Sequence, residues 1–213
     1  VRKITKIEGR EPKKLTDWKR QNQHGKYTDL SDVERDAINE LARIEQFGLC
    51  AYCCKVIDKN NSMNEHVEAR RLAPHRSLDF DNIVASCTTP KRCDHAHGSQ
   101  PLLLTPLMNE CETDLKFYFS GKVEGLTDEA RQSVEVLGLN SNAIREERKQ
   151  MIANLLFPDT PDGVNFLEDD LIAVLIDDFQ HPTDGQLQAY SPVLVNVLRQ
   201  RVRINFTQKD DSR

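Results

Sequence analysis

Between Cys50 and Gly98 the chain concentrates residues that can do chemistry: Cys50-Ala-Tyr-Cys53, then Glu65-His66, then Asn82, then Cys87 and Cys93, with Asp94, His95 and His97 close behind. Four thiols set out as two pairs suit a tetrahedral zinc, because thiolates are soft ligands and a closed four-sulfur site is a common structural one. A Cys-x-x-Cys spacing also serves redox pairs. The second pair makes zinc the better reading, although it is wider than a usual knuckle, with Thr88 to Arg92 between its sulfurs. Cys54 and Cys111 are left over and read as buried filler.

What lies between the thiol pairs suits metal-assisted hydrolysis of a phosphodiester, which needs a deprotonated water and a cation on the leaving oxygen. A neutral imidazole at His66 can take the proton, and the carboxylate of Glu65 can face away from it on a strand or bend to hold a divalent metal. Asn82 can orient the histidine through a side-chain amide hydrogen bond. A further metal ligand must then come from Asp94, His95 or His97. Four of the six histidines lie between residues 66 and 97, and His75 among them reads as an ordinary surface histidine.

Elements must hold these residues in place. Ser31 followed by Glu34 is a capping box, and Val33, Ala37, Leu41 and Ile44 recur at helical spacing, so a helix should run to Gly48 and deliver the chain to Cys50. Glu65 to Glu68 is expected as a short strand, Asn82 to Ser86 as a strand or short helix ending at Cys87, and residues 93–98 as the helix of a compact ββα unit. The opening 28 residues show little helical periodicity and read as an extended arm, with the single Trp, Trp18, anchoring it in the core. Phe117 to Val123 reads as a strand and turn. Beyond it, Thr127 caps a helix to Val136, Ser141 starts a longer one to Phe157, residues 158–163 form a loop, and Leu167 to Phe179 and Pro192 to Val202 are further helices.

With 213 residues and 38% hydrophobic composition, the chain can bury one substantial core or wrap a small domain in a helical one. No apolar run of about 18 residues exists and no apolar segment follows the charged start, so neither a membrane span nor a signal peptide is expected, and the expected compartment is the cytoplasm. A net charge of −5 argues against global coating of nucleic acid. The charge is uneven, however: residues 1–26 are strongly basic, while residues 159–184 carry many carboxylates and no Lys or Arg. A basic arm can touch phosphate, and an acidic stretch can face a protein, although two solvated faces would look the same.

The order Cys-x-x-Cys, acid-His, Asn, Cys, Cys resembles an HNH endonuclease of the zinc-supported ββα-metal type. More narrowly, Arg2 to Lys6, Cys50 to Cys53, Asn82 to Cys87, Cys93 to His95, and Leu137-Gly138-Leu139-Asn140 with Arg145 resemble the PtuB family, the nuclease subunits of the Septu anti-phage defence system, which also accompany some retrons. The resemblance implies His66 as general base, Asn82 as its orienting partner, Glu65 as a Mg2+ or Mn2+ ligand, and structural Zn2+ on Cys50, Cys53, Cys87 and Cys93. His95 stands among the implied catalytic residues. Asp94 occupies the place where relatives carry His or Asn directly after the last cysteine, so Asp94 or His95 would complete the Mg2+ site, while His97 stands where many relatives have Lys and would contact phosphate. The implied fold is α+β and mostly helical, a ββα-metal HNH core with its four-cysteine zinc site embedded in a helical domain. It divides into a basic arm (1–30), the nuclease core (31–125) and a helical partner-docking region (126–213). The implied substrate is DNA, with RNA open, and the implied partner is a PtuA-like ABC-type ATPase. Two other classes compete: an inactive zinc-stabilised module that binds nucleic acid or protein, and a thiol oxidoreductase using Cys50 and Cys53, which lacks a thioredoxin-like βαβ pattern.

Overall fold

The computed structural model describes the backbone of residues 1–157, 159–160, 163–164 and 169–210. It is an α+β protein in which helices surround small two-stranded antiparallel sheets. The first departure from expectation is α1, Lys13–Gln21, within the segment expected to be extended. Its sequence is dominated by Lys, Arg and polar residues, with Leu15 fully buried and Trp18 three residues on packed partly buried on the same side, so it is amphipathic despite its dense charge. Trp18 packs partly buried against the core, as expected of an anchor. The helix α2, Asp32–Glu45, begins as the capping box requires: Ser31 Oγ accepts from Val33 N at 3.3 Å, and Glu34 Oε2 accepts from Ser31 N at 2.9 Å.

The strands β1, Ser62–His66, and β2, Ile83–Cys87, pair antiparallel, with Glu65 opposite Val84 and His66 opposite Ile83. Thus the first strand ends at His66 instead of running through Glu68. The helix α3, Asp94–His97, is a single turn. A second hairpin joins β3, Leu115–Phe117, to β4, Val123–Gly125. Thr127 caps α4, Asp128–Val136, by accepting from Ala130 N at 3.2 Å, and α5 spans Asn142–Leu156. Part of the expected 158–163 loop is a small hairpin of β5, Asp159–Thr160, and β6, Gly163–Val164, while residues 158, 161 and 162 lie outside the described residues. The helices α6, Asp169–Gln180, and α7, Ser191–Asp210, complete the chain, and the expected start of the α6 helix at Leu167 also lies outside the described residues.

One continuous hydrophobic cluster runs from Ile4 and Leu15 through the cysteine region to Leu194 and Leu198. Backbone hydrogen bonds stitch the C-terminal part to the cysteine turn, from Leu187 N to Phe47 O at 2.9 Å and from Tyr190 N to Cys54 O at 2.8 Å. The start of the chain is tied down as well. Ile4 N donates to Pro106 O at 2.7 Å, and Lys6 Nζ is held by Glu45 Oε2 at 2.8 Å and Ile83 O at 2.6 Å. Part of the basic charge read as an arm for phosphate is therefore neutralised inside the fold.

Candidate active site and metal centre

The metal centre is assembled from three places in the chain. Cys50 and Cys53 sit on a turn in which Cys50 N donates to Lys55 O at 2.8 Å and Cys54 N to Cys50 O at 3.1 Å. Cys87 ends β2, and Cys93 immediately precedes α3. All four are buried, and their sulfurs lie within 4.8 Å of one another, with Cys53 and Cys87 Sγ 3.8 Å apart. A tetrahedron of sulfurs about 2.3 Å from zinc has edges of about 3.8 Å. The four cysteines can therefore hold a metal ion such as zinc. The four thiols are tightly coupled: hydrogen bonds from Cys50, Cys53 and Cys93 push Cys87 down, Cys50 and Cys87 push Cys53 up, and Cys50, Cys53 and Cys87 push Cys93 up. A bound dication favours the thiolate form of all four, because metal ligation requires deprotonated sulfur. Cys87 N donates to Cys50 Sγ at 3.3 Å, a contact that orients a ligand sulfur. Cys54 and Cys111 are buried outside the cluster.

Strand alternation sends Glu65 and His66 to different surroundings. Glu65 Oε1 accepts from Tyr52 Oη at 3.2 Å and is bonded to His97 Nδ1. Burial pushes its carboxyl up, but hydrogen bonds to His97, Asp94 and Tyr52 outweigh that and hold it below the usual carboxylate range. Asp94 responds in the opposite sense: burial first, then its hydrogen bond with Glu65, pushes it up to about 8. The opposite directions of the two shifts have one cause: neighbouring carboxyl groups do not both ionise readily in a buried place.

His66 is 5% exposed and points at a different wall. Its Nε2 lies 2.9 Å from Ser77 O, and since a carbonyl only accepts, Nε2 carries the proton. Nδ1 is then the basic nitrogen of the neutral ring, and no protein group among the described residues is hydrogen-bonded to it. Burial lowers the histidine below its ordinary pKa, keeping the ring neutral. Tyr27 stands at right angles to it, with centroids 4.6 Å apart and planes at 87°.

Three sequence expectations change here. Asn82 bonds to the backbone of Glu68, accepting from its N at 2.8 Å and donating to its O at 3.0 Å. It therefore shapes the chain two residues beyond His66 and does not touch the ring. His97 is fully buried with both nitrogens engaged, on Glu65 and on Gln100 O at 2.8 Å, so it positions the carboxylate and cannot reach a phosphate. His95 is exposed and accepts from Lys91 N at 3.2 Å through Nδ1. Glu65, Asp94 and His95 do not gather as a ligand set within 4.8 Å; among the described residues only the four cysteines do.

Sequence reading passed over Tyr52, Tyr27, Ser77 and Arg92. Tyr52 lies inside the Cys50–Cys53 turn and was legible by position alone. Ser77 acts through its carbonyl, which has no side-chain signature. Arg92, 2% exposed, is within electrostatic reach of the Cys53 and Cys87 thiols and donates through Nη1 to Glu147 Oε1 at 3.2 Å. Compared with known proteins, the chain matches no family model, and no curated protein matches it.

Proposed function

We propose that this chain is a metal-dependent HNH endonuclease that hydrolyses DNA phosphodiester bonds, acting as the effector subunit of an anti-phage complex with a PtuA-like ABC-type ATPase. What carries the reading is His66: a buried neutral imidazole, its tautomer fixed by Ser77 O, next in sequence to a carboxylate that faces Asp94. In the proposed reaction His66 Nδ1 takes a proton from water, the water oxygen bonds to phosphorus, and the bond from phosphorus to the leaving sugar oxygen breaks, solvent returning a proton to that oxygen. A magnesium or manganese ion on Glu65 and Asp94 would supply positive charge at the leaving oxygen. Tyr52 and His97 keep Glu65 aimed, and Asn82 keeps the following backbone in place.

Plasmid cleavage with added Mg2+ or Mn2+, by wild type and by His66→Ala, with and without the ATPase, tests this. Cleavage abolished in the variant supports it. Absence of cleavage by zinc-loaded wild type in every condition sinks it. One observation favours a second reading, a zinc-stabilised binding module: Glu65 is already satisfied by His97 and Tyr52, as a purely structural carboxylate would be. Under that reading His66→Ala binds and behaves like wild type in every assay.

The ATPase contact is proposed on α6, where Leu171 and Val174 are 49% and 55% exposed beside exposed Asp177 and Asp178. An apolar strip bordered by acid fits a partner surface that is apolar with a basic rim. Leu171→Asp with Val174→Asp should abolish co-purification with the ATPase while leaving plasmid cleavage by the isolated subunit unchanged. Undiminished co-purification would place the contact elsewhere.

A further inference from the structure

A groove of about 700 Å³ runs between α2 and β1, outside the metal centre, and Tyr27 and Arg70 line it at its end nearest His66. The Arg70 guanidinium lies 5.0 Å from the Tyr27 ring centroid and that of Arg35 lies 5.6 Å from it, while the His66 ring stands 4.6 Å from the same centroid. Two cations and the candidate base therefore share one aromatic ring. Arg70 is also near enough to act electrostatically on both His66 and Asp94. Further along, Arg43 and Lys59 line the groove. On its walls Arg35 Nε and Asn39 Nδ2 are buried donors without an acceptor among the described residues, against one such acceptor, Asn64 Oδ1.

We infer that this groove holds the phosphodiester backbone of the substrate strand beside the cleaved bond, with Arg70 and Arg35 on the phosphate nearest His66 and Arg43 and Lys59 on phosphates further along. The inference rests on the nuclease reading and adds the path of the substrate to it. Phosphate contacts of this kind fix register without reading sequence. Exposed Asp32, Asp36 and Glu40 also line the groove, spaced along α2. They oppose the cations, so the groove binds a strand weakly and admits a single backbone more readily than the doubled charge of a duplex.

The test is fluorescence anisotropy with a short labelled single-stranded DNA and the matching RNA, titrated at several salt concentrations against protein carrying His66→Ala to prevent turnover. Arg70→Gln and Lys59→Gln should each weaken binding several-fold, and each should reduce the salt slope by about 0.7, because one phosphate fewer is neutralised by the protein. Asp36→Asn should tighten binding, and Arg131→Gln, on α4 and outside the groove, should change nothing. The nucleic acid that shows this pattern is the one the groove accepts. Unchanged affinity and salt slope for both probes in Arg70→Gln and Lys59→Gln, with wild type still cleaving plasmid, would overturn the groove alone. Absence of both binding and cleavage would overturn the nuclease reading with it.

Discussion

At the scale of single residues, the candidate site works by dividing labour between neighbours. His66 has Nε2 held on the Ser77 carbonyl and its pKa lowered by burial, whereas for Glu65 burial pushes the carboxyl up and hydrogen bonds outweigh it. His66→Ala removes the proposed proton acceptor and leaves the thiols untouched, so cleavage should fall by about 10²- to 10⁴-fold with zinc content unchanged. His97→Ala should behave differently. It leaves a cavity and strips Glu65 of a buried partner, so it should lower Tm, and activity only through Glu65, so that His97→Gln restores part of the cleavage that His66→Gln does not.

At the scale of elements, short two-stranded sheets survive because side-chain amides complete their edges. Gln46 does this for β2: its Oε1 accepts from Ala85 N at 2.7 Å and its Nε2 donates to Ala85 O at 2.8 Å, as a neighbouring strand would. Asn140 does the same for Val123 on β4, and Asn196 takes Phe117 N and Leu115 O on β3. An edge strand left bare and buried would carry unpaired polar groups. Gln46→Leu orphans the buried Ala85 N–H, since Ala85 O keeps a bond from Ala51 N at 3.1 Å. The expected cost is about 1 to 3 kcal/mol of unfolding free energy, read from denaturant melts. A melt identical to wild type would show that the edge amide is dispensable.

At the scale of the whole molecule, the cysteine centre and the C-terminal helices share one core. Arg92, next in the chain to Cys93, donates to Glu147 on α5, and Tyr190 Oη, just before α7, donates to the same carboxylate. Zinc binding and helix packing should then be one cooperative event, because the binding free energy of a structural metal is also folding free energy. Cys50→Ser should aggregate or lose the α-helical signal of the whole chain in a single transition by circular dichroism. A variant that keeps its helices and melts in two steps would contradict this coupling.

The sequence by itself determined the chemistry-bearing residues and much of the local structure. Cysteine spacing selected four thiols out of six, the Ser31–Glu34 box set the start of α2, and the Thr127 cap set that of α4, because ligand sets and caps are short-range patterns. Only the tertiary structure decided what each polar side chain does. The helix α1 is amphipathic, but its one fully buried residue, Leu15, lies amid dense charge between Gly9 and Gly25, which read as an extended arm. Asn82, His97 and His95 found partners set by backbone groups and carboxylates distant in sequence, and the cations of the groove are brought together from α2, the loop before β1 and the segment after it. Hydrogen bonds and charge act through space at a few ångströms, and sequence order does not encode those distances until the chain has folded.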